Sequence, residues 1–191
     1  MYGVVSLLDE HITKTVQNLW IDLANGFGVR QFAELTPYPH VSYQVAQQYE
    51  EQELVKHIED FAWQATPFRI QTAGLALFTG AHLVLHVPIV RTLGLSKFHQ
   101  NIWQTITPMG SGISPYYQPA AWIPHITLAE YDIDPENLAC ILAHLSSHPL
   151  CWDILIDNLA LIWNPGKPQD ELCYKIPFQQ QRRKVKAIRP V

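Results

Sequence analysis

"YPHVSY" at residues 38–43 and "IPHITL" at residues 123–128 write one phrase twice: proline, histidine, a β-branched apolar residue, then a hydroxyl residue. Side chains alternate across a β-strand. On predicted strands, His40 and Ser42 therefore share one face, with Val41 and Tyr43 on the other. His125 and Thr127 likewise oppose Ile126 and Leu128. Pro39 and Pro124 lack an N–H, fix the local backbone angle and suit the start of a strand. Each phrase offers an imidazole and a hydroxyl to one side and anchors itself by apolar groups on the other.

The text around each phrase repeats an order of elements. Val4, Val5, Leu7 and Leu8 make a short apolar run bounded by Gly3 and Asp9, consistent with a buried strand. Ile12, Val16, Leu19, Trp20, Leu23 and Phe27 mark one helical face, ended by Gly26 and Gly28. After the first phrase come a second helical stripe, Leu54, Val55, Ile58, Phe61 and Ala62, closed by Pro67. Two strand-like runs follow, "FRIQTAGLALF" and "AHLVLHVPIV", with a turn at Thr79-Gly80. Leu95, Phe98, Ile102 and Ile106 give a third helix, and residues 107–121 read as a loop. After the second phrase, Leu138, Ile141, Leu142 and Leu145 form a fourth helix, with Asp134 as N-cap and Pro135 at its first position. Strand-like "WDILIDNLALIW" and "LCYKIPF" finish the chain. Each half thus reads helix, phrase strand, helix, two strands. This predicts an α+β protein of two similar lobes, with antiparallel sheets and helices packed outside.

The 191 residues suit one domain or two small lobes sharing a core. No apolar run approaches the roughly 18 residues of a membrane span, and "MYGVVSLLDE" lacks the basic leader and cleavage site of a signal peptide. Cys140, Cys151 and Cys173 are odd in number and lack C-x-x-C spacing, which predicts reduced, buried thiols and a cytoplasmic location. Residues 175–191 hold six of the thirteen basic side chains, leaving seven against all 17 acidic ones in residues 1–174. An acidic body excludes a long electrostatic footprint on nucleic-acid backbone, so a nucleotide ligand would be held locally. Arg30, Arg69 and Arg91 are the candidates for any basic lining.

Two facing lobes would bring two imidazoles and two hydroxyls around one point. Such a set suits a phosphodiester. One neutral imidazole takes a proton from the attacking oxygen, and the other, protonated, gives one to the leaving oxygen. The Ser and Thr hydroxyls donate to the non-bridging oxygens as their charge develops. The scheme calls for no metal and no cofactor. No G-x-x-x-x-G-K-[ST], G-x-S-x-G or H-E-x-x-H occurs.

The paired phrases resemble the double H-x-[ST] signature of the two-histidine phosphoesterase superfamily, and the flanking text resembles its 2′-5′ RNA ligase-like branch, which includes RNA 2′,3′-cyclic phosphodiesterases. "FRIQTAGLALF", "LVLHV" and "PAAWIPHITLAEY" carry that resemblance further. It covers roughly residues 1–178 and leaves a basic tail, 179–191, outside. It implies a bilobal fold around a central cleft, metal-independent chemistry, and His40, Ser42, His125 and Thr127 as catalytic residues. The expected substrate is a 2′,3′-cyclic phosphate on an RNA end or a small nucleotide, with reversible 2′-5′ ligation at the same site. A non-catalytic module that grips RNA ends or cyclic nucleotides is the alternative. A monomer is expected.

Phe78, Tyr116, Tyr117 and Trp122 are the aromatic candidates for stacking on a base. Trp20, Trp63 and Trp103 are expected in the core. His82 and His86 share a strand face and could line the cleft, but they sit about 13 Å apart along the backbone, too far to share a metal without help. His144 and His148 flank a helix end, where they meet its dipole. His11, His57 and His99 fall among polar residues and are expected in solvent.

Overall fold

The computed structural model describes residues 1–80, 82–133, 135–165 and 170–179. In chain order its elements begin β1 (Tyr2–Leu7), α1 (Glu10–Phe27), α2 (Gln31–Leu35), β2 (His40–Ala46), β3 (Gln48–Tyr49) and α3 (Glu51–Gln64). The middle holds β4 (Phe68–Gln71), β5 (Ala76–Phe78), β6 (Val84–Pro88), α4 (Leu93–Ile106) and β7 (Gly110–Ser111). The last third holds β8 (His125–Glu130), α5 (Leu138–Ser146), β9 (Asp153–Ile156), β10 (Asn158–Trp163) and β11 (Glu171–Pro177).

Local chemistry fixes the long helices. The Asp9 side chain caps α1 by accepting from the Ile12 N–H at 3.0 Å. Gly28, at φ 73°, ends it in the left-handed conformation that glycine adopts without strain. The expected stripe is buried from Ile12 to Leu23. Thr92 caps α4 by accepting from Leu95 N–H at 3.1 Å.

Two antiparallel sheets result, one in the order β11-β10-β1-β2 and one in the order β5-β6-β8, with short ladders β4-β9 and β3-β7 beside them. Both repeated phrases begin an edge strand. Both strands also break register directly after the hydroxyl residue. Along β2, Ser42 faces Val5 and Gln44 faces Val4, so Tyr43 is the extra residue. Along β8, Thr127 faces His86 and Ala129 faces Leu85, so Leu128 is the extra residue. A bulge of this kind bends and twists the strand locally. Val41, Tyr43, Ile126 and Leu128 point the other way, into one continuous core. The helices cover these sheets: α1 and α2 lie against β8, α4 against β2, and α3 against β10 and β11.

Several expectations need correction. "FRIQTAGLALF" is not one strand: Gly74 at φ 78° turns the chain, so β4 pairs with β9 and β5 with β6. "WDILIDNLALIW" also splits, at Asp157. There the Asn158 side chain accepts from Leu7 N–H (3.0 Å) and donates to Leu7 O (2.9 Å), extending the β1-β10 ladder by a side chain. The fourth helix starts at Leu138 after a turn through Pro135; Asp134 lies outside the described residues. Residues 180–191 of the basic tail do too. The short α2 had no periodic signal; its first N–H groups, from Arg30 and Gln31, donate to Asp132 Oδ2 at 2.6 and 2.8 Å. Cys140 and Cys151 are exposed, and only Cys173 is buried. Trp63 is 51% exposed, whereas Trp20 is core.

Candidate active site

Edge strands leave backbone groups unpaired, and here two indoles cover them reciprocally. Trp122, from the loop before β8, donates its N–H to Ser42 O on β2 at 2.9 Å. Trp20, from α1, donates to Thr127 O on β8 at 3.2 Å. Each phrase strand is therefore held by a ring from the other half of the sequence, and the two strands lie side by side. Each such bond contributes about 1 kcal/mol net.

The two motif histidines are built alike. His40 Nδ1 donates to Tyr38 O at 2.6 Å, and His125 Nδ1 donates to Ile123 O at 2.7 Å. In both, the ring reaches back over its proline to the carbonyl two residues upstream. A carbonyl only accepts, so Nδ1 carries the hydrogen and Nε2 is the free basic nitrogen of the neutral ring. Both rings are half-buried, as are Ser42 and Thr127 beside them on the same strand faces. Burial lowers the affinity of His40 for a proton, and its backbone hydrogen bond opposes that only in part. Burial does the same at His125, where a positive charge on His40 lowers it further. The two rings therefore sense each other: the pair takes one proton more readily than two.

A third imidazole completes the group. His86 on β6 lies opposite Thr127 in the ladder and is 2% exposed. Its ring stacks on Phe78 at 3.9 Å between centroids and meets His125 edge to face at 5.0 Å. Phe78 itself meets His125 edge to face at 5.1 Å. Burial pushes His86 down to about 4, so it is neutral at physiological pH. The sequence placed His86 on a strand face with His82, but nothing in the periodicity paired it with Thr127. His82 is exposed.

The aromatic candidates divide. Phe78 belongs to the site through its contacts with His86 and His125. Tyr117 joins it beside the Ser42 side chain, which partly offsets the upward push of burial on its phenol. Tyr116 is 81% exposed, with no contact to the motif rings described. Trp122 is 1% exposed and stacks on His99 at 3.8 Å, so its faces are already covered and its role is the bond to Ser42. His99, expected in solvent, is fully buried and donates from Nε2 to Tyr43 O at 2.9 Å. It sits one place along α4 from Phe98, within the buried stripe.

The arginines are engaged elsewhere. Arg69 pairs with Asp153 at 2.9 Å, and Arg30 lies 4.0 Å from Glu34. Arg91 donates to the carbonyls of Trp122 (2.8 Å) and Pro119, bracing the loop that carries the indole.

The chain and its fold are similar to known ones. The family model described as the 2′-5′ RNA ligase superfamily matches residues 9–168. Among solved structures, the crystal structure of TT0787 of Thermus thermophilus has a TM-score of 0.62 at 15% identity, covering 93% of this chain and 97% of that one. The structure of Kluyveromyces marxianus Usb1 has a TM-score of 0.44 at 12% identity, covering 93% and 96%. No curated protein sequence matches. The resemblance carried by the two histidine phrases thus extends to the whole fold, and the chain belongs to the 2′-5′ RNA ligase superfamily.

Proposed function

We propose that this protein is a metal-independent phosphodiesterase that opens 2′,3′-cyclic phosphates on RNA ends or small nucleotides. The observation that carries the reading is the matched pair of imidazoles. Each has Nδ1 pinned to the carbonyl two residues back, each has a hydroxyl residue on its own strand face, and the charge of one is felt by the other. The neutral ring takes the proton of an attacking water through Nε2. Water adds to phosphorus, one P–O bond of the cyclic ester breaks, and the protonated ring gives its proton to the departing ribose oxygen. Ser42 and Thr127 donate to the non-bridging oxygens, where charge accumulates. A ribose 5′-hydroxyl in place of water would give a 2′-5′ linkage by the same proton transfers. The basic side chains whose bonds are described are committed elsewhere, which favours a short, locally held substrate over a long RNA track. Phe78 and Tyr117 are the aromatic surfaces we assign to the base or ribose. A cytoplasmic monomer, with residues 1–178 as one bilobal unit, completes the proposal.

Hydrolysis of a cyclic-phosphate dinucleotide, followed by product separation, tests it. His40→Ala and His125→Ala should each lower kcat by about two or more orders of magnitude, as expected for a lost general acid or base. Added EDTA should change nothing. Full activity in either variant, or loss with EDTA that persists in the Asp22→Asn variant, contradicts the mechanism. Tight binding of the dinucleotide without turnover would support the binding-module reading instead.

A further inference from the structure

Asp22, His144 and His148 come together at the surface where α1 meets the end of α5. Asp22 is exposed and both histidines are half-buried, and one ligand-type atom from each lies within 4.8 Å of the other two. We infer that these three side chains bind a divalent transition metal of the zinc class, and that the ion clasps α1 to α5.

Four observations support this site. His144 and His148 are four residues apart, the spacing that puts two side chains on one helix face. The chain keeps a helical course past Ser146, since His148 N–H donates to Leu145 O at 3.1 Å. Their rings meet edge to face at 4.9 Å between centroids. His148 Nδ1 donates to His144 O at 3.1 Å, with Ser147 Oγ at 3.4 Å, which leaves Nε2 with the lone pair. A backbone carbonyl behind one ring nitrogen is the usual support of a metal-binding histidine. Finally, His144 Nε2 is buried and has no hydrogen-bond partner among the described residues. A buried polar atom without a partner is costly and calls for an explanation; a metal ion supplies one.

The donor set selects the ion. Two imidazoles and a carboxylate suit zinc, nickel, cobalt or copper, not calcium or magnesium, which take oxygen cages. Ligand atoms around a tetrahedral zinc stand about 3.3 Å apart at bond lengths of about 2.0–2.1 Å. Atoms that already lie within 4.8 Å of one another reach that spacing by small torsions of an exposed carboxylate and two half-buried rings. A dipole role for the two histidines at the end of α5 would need neither Asp22 nor the orphaned nitrogen. Asp22 lies on the exposed face of α1, while Trp20 on the buried face reaches Thr127. The clasp therefore steadies the helix that braces β8 and stands apart from the proton transfers.

Calorimetric titration of the full chain with zinc chloride, together with thermal unfolding, tests the site. One equivalent should bind, and the melting midpoint should rise with free zinc by mass action and fall back with EDTA. Asp22→Asn, His144→Gln and His148→Gln should each weaken zinc at least about tenfold, since even loss of a supporting residue does so at other sites. The Cys140→Ser/Cys151→Ser variant removes the exposed thiols and should bind as the parent does. Asp22 is exposed, so its variant folds and reports even where a histidine variant does not. Absence of binding, unchanged affinity in Asp22→Asn, or loss in the cysteine variant would each overturn the proposal.

Discussion

In the proposed mechanism, proton affinity at His40 and His125 sets the pH at which the site works. Both rings are held below the ordinary imidazole value of about 6.5 by burial. The productive state needs one neutral and one protonated ring. The kcat/KM profile of the free enzyme should therefore be a bell with its maximum below about pH 6.5. A bound phosphate anion favours imidazolium, so the kcat profile should lie at higher pH. A kcat/KM maximum above neutrality would contradict the assignment. His86, neutral in this range, is expected to act through ring contact with His125. Ring contacts of its kind are worth about 0.5–1.5 kcal/mol. His86→Ala should thus lower kcat by up to about tenfold, and His86→Phe should restore it, with the acid limb of the pH profile unmoved. An equal loss in both variants would show that the imidazole nitrogens of His86 matter. At this scale the four motif residues were legible because a repeated phrase is visible without coordinates. The sequence offered His86 as cleft lining and Trp122 as a stacking ring, but not what either one touches. The first is placed by cross-strand register and the second by a bond to a backbone atom 80 residues away, and neither leaves a local periodicity.

Strands β2 and β8 work through their bulges. The extra residue after Ser42, and the one after Thr127, twists each edge strand where an indole meets the hydroxyl residue's carbonyl. Trp20→Phe and Trp122→Phe keep most of the ring and delete the N–H. Each should lower the free energy of unfolding by about 1–3 kcal/mol, the penalty of an unsatisfied buried acceptor. Each should also reduce kcat more than it raises KM, because the displaced strand carries the residues proposed to react. Denaturant unfolding and steady-state kinetics measure both effects; parental values in both variants would show that the bonds are incidental. The three long helices were legible from stripes of period 3.6, since one face of each is buried. The strands beyond the phrases were less so. Apolar runs through Gly74 and Asp157 read as continuous, yet each crosses between ladders at a turn or a side-chain bond that period-2 alternation does not register.

Across the whole molecule, His40, His86, His99 and His125 all have lowered proton affinity because they are buried. The sign follows: below about pH 6.5 the unfolded chain binds protons that the folded chain refuses, so stability is lost as the pH falls from there toward about 4. The Glu130 and Asp170 carboxyls, raised by burial, oppose this at the acid end. Urea midpoints should drop between pH 7 and pH 5, and His86→Phe should flatten the slope. A midpoint that holds steady or rises on acidification would contradict the burial of these rings. The α+β class and outer helices were legible from the order of elements. The packing of α1 on β8 was not, because adjacency in sequence pointed it toward its own half.

That exchange has a consequence for how the molecule comes apart. Neither half of the polypeptide carries the indole that bonds its own phrase strand. Separating the halves would strip both strands of that bond at once.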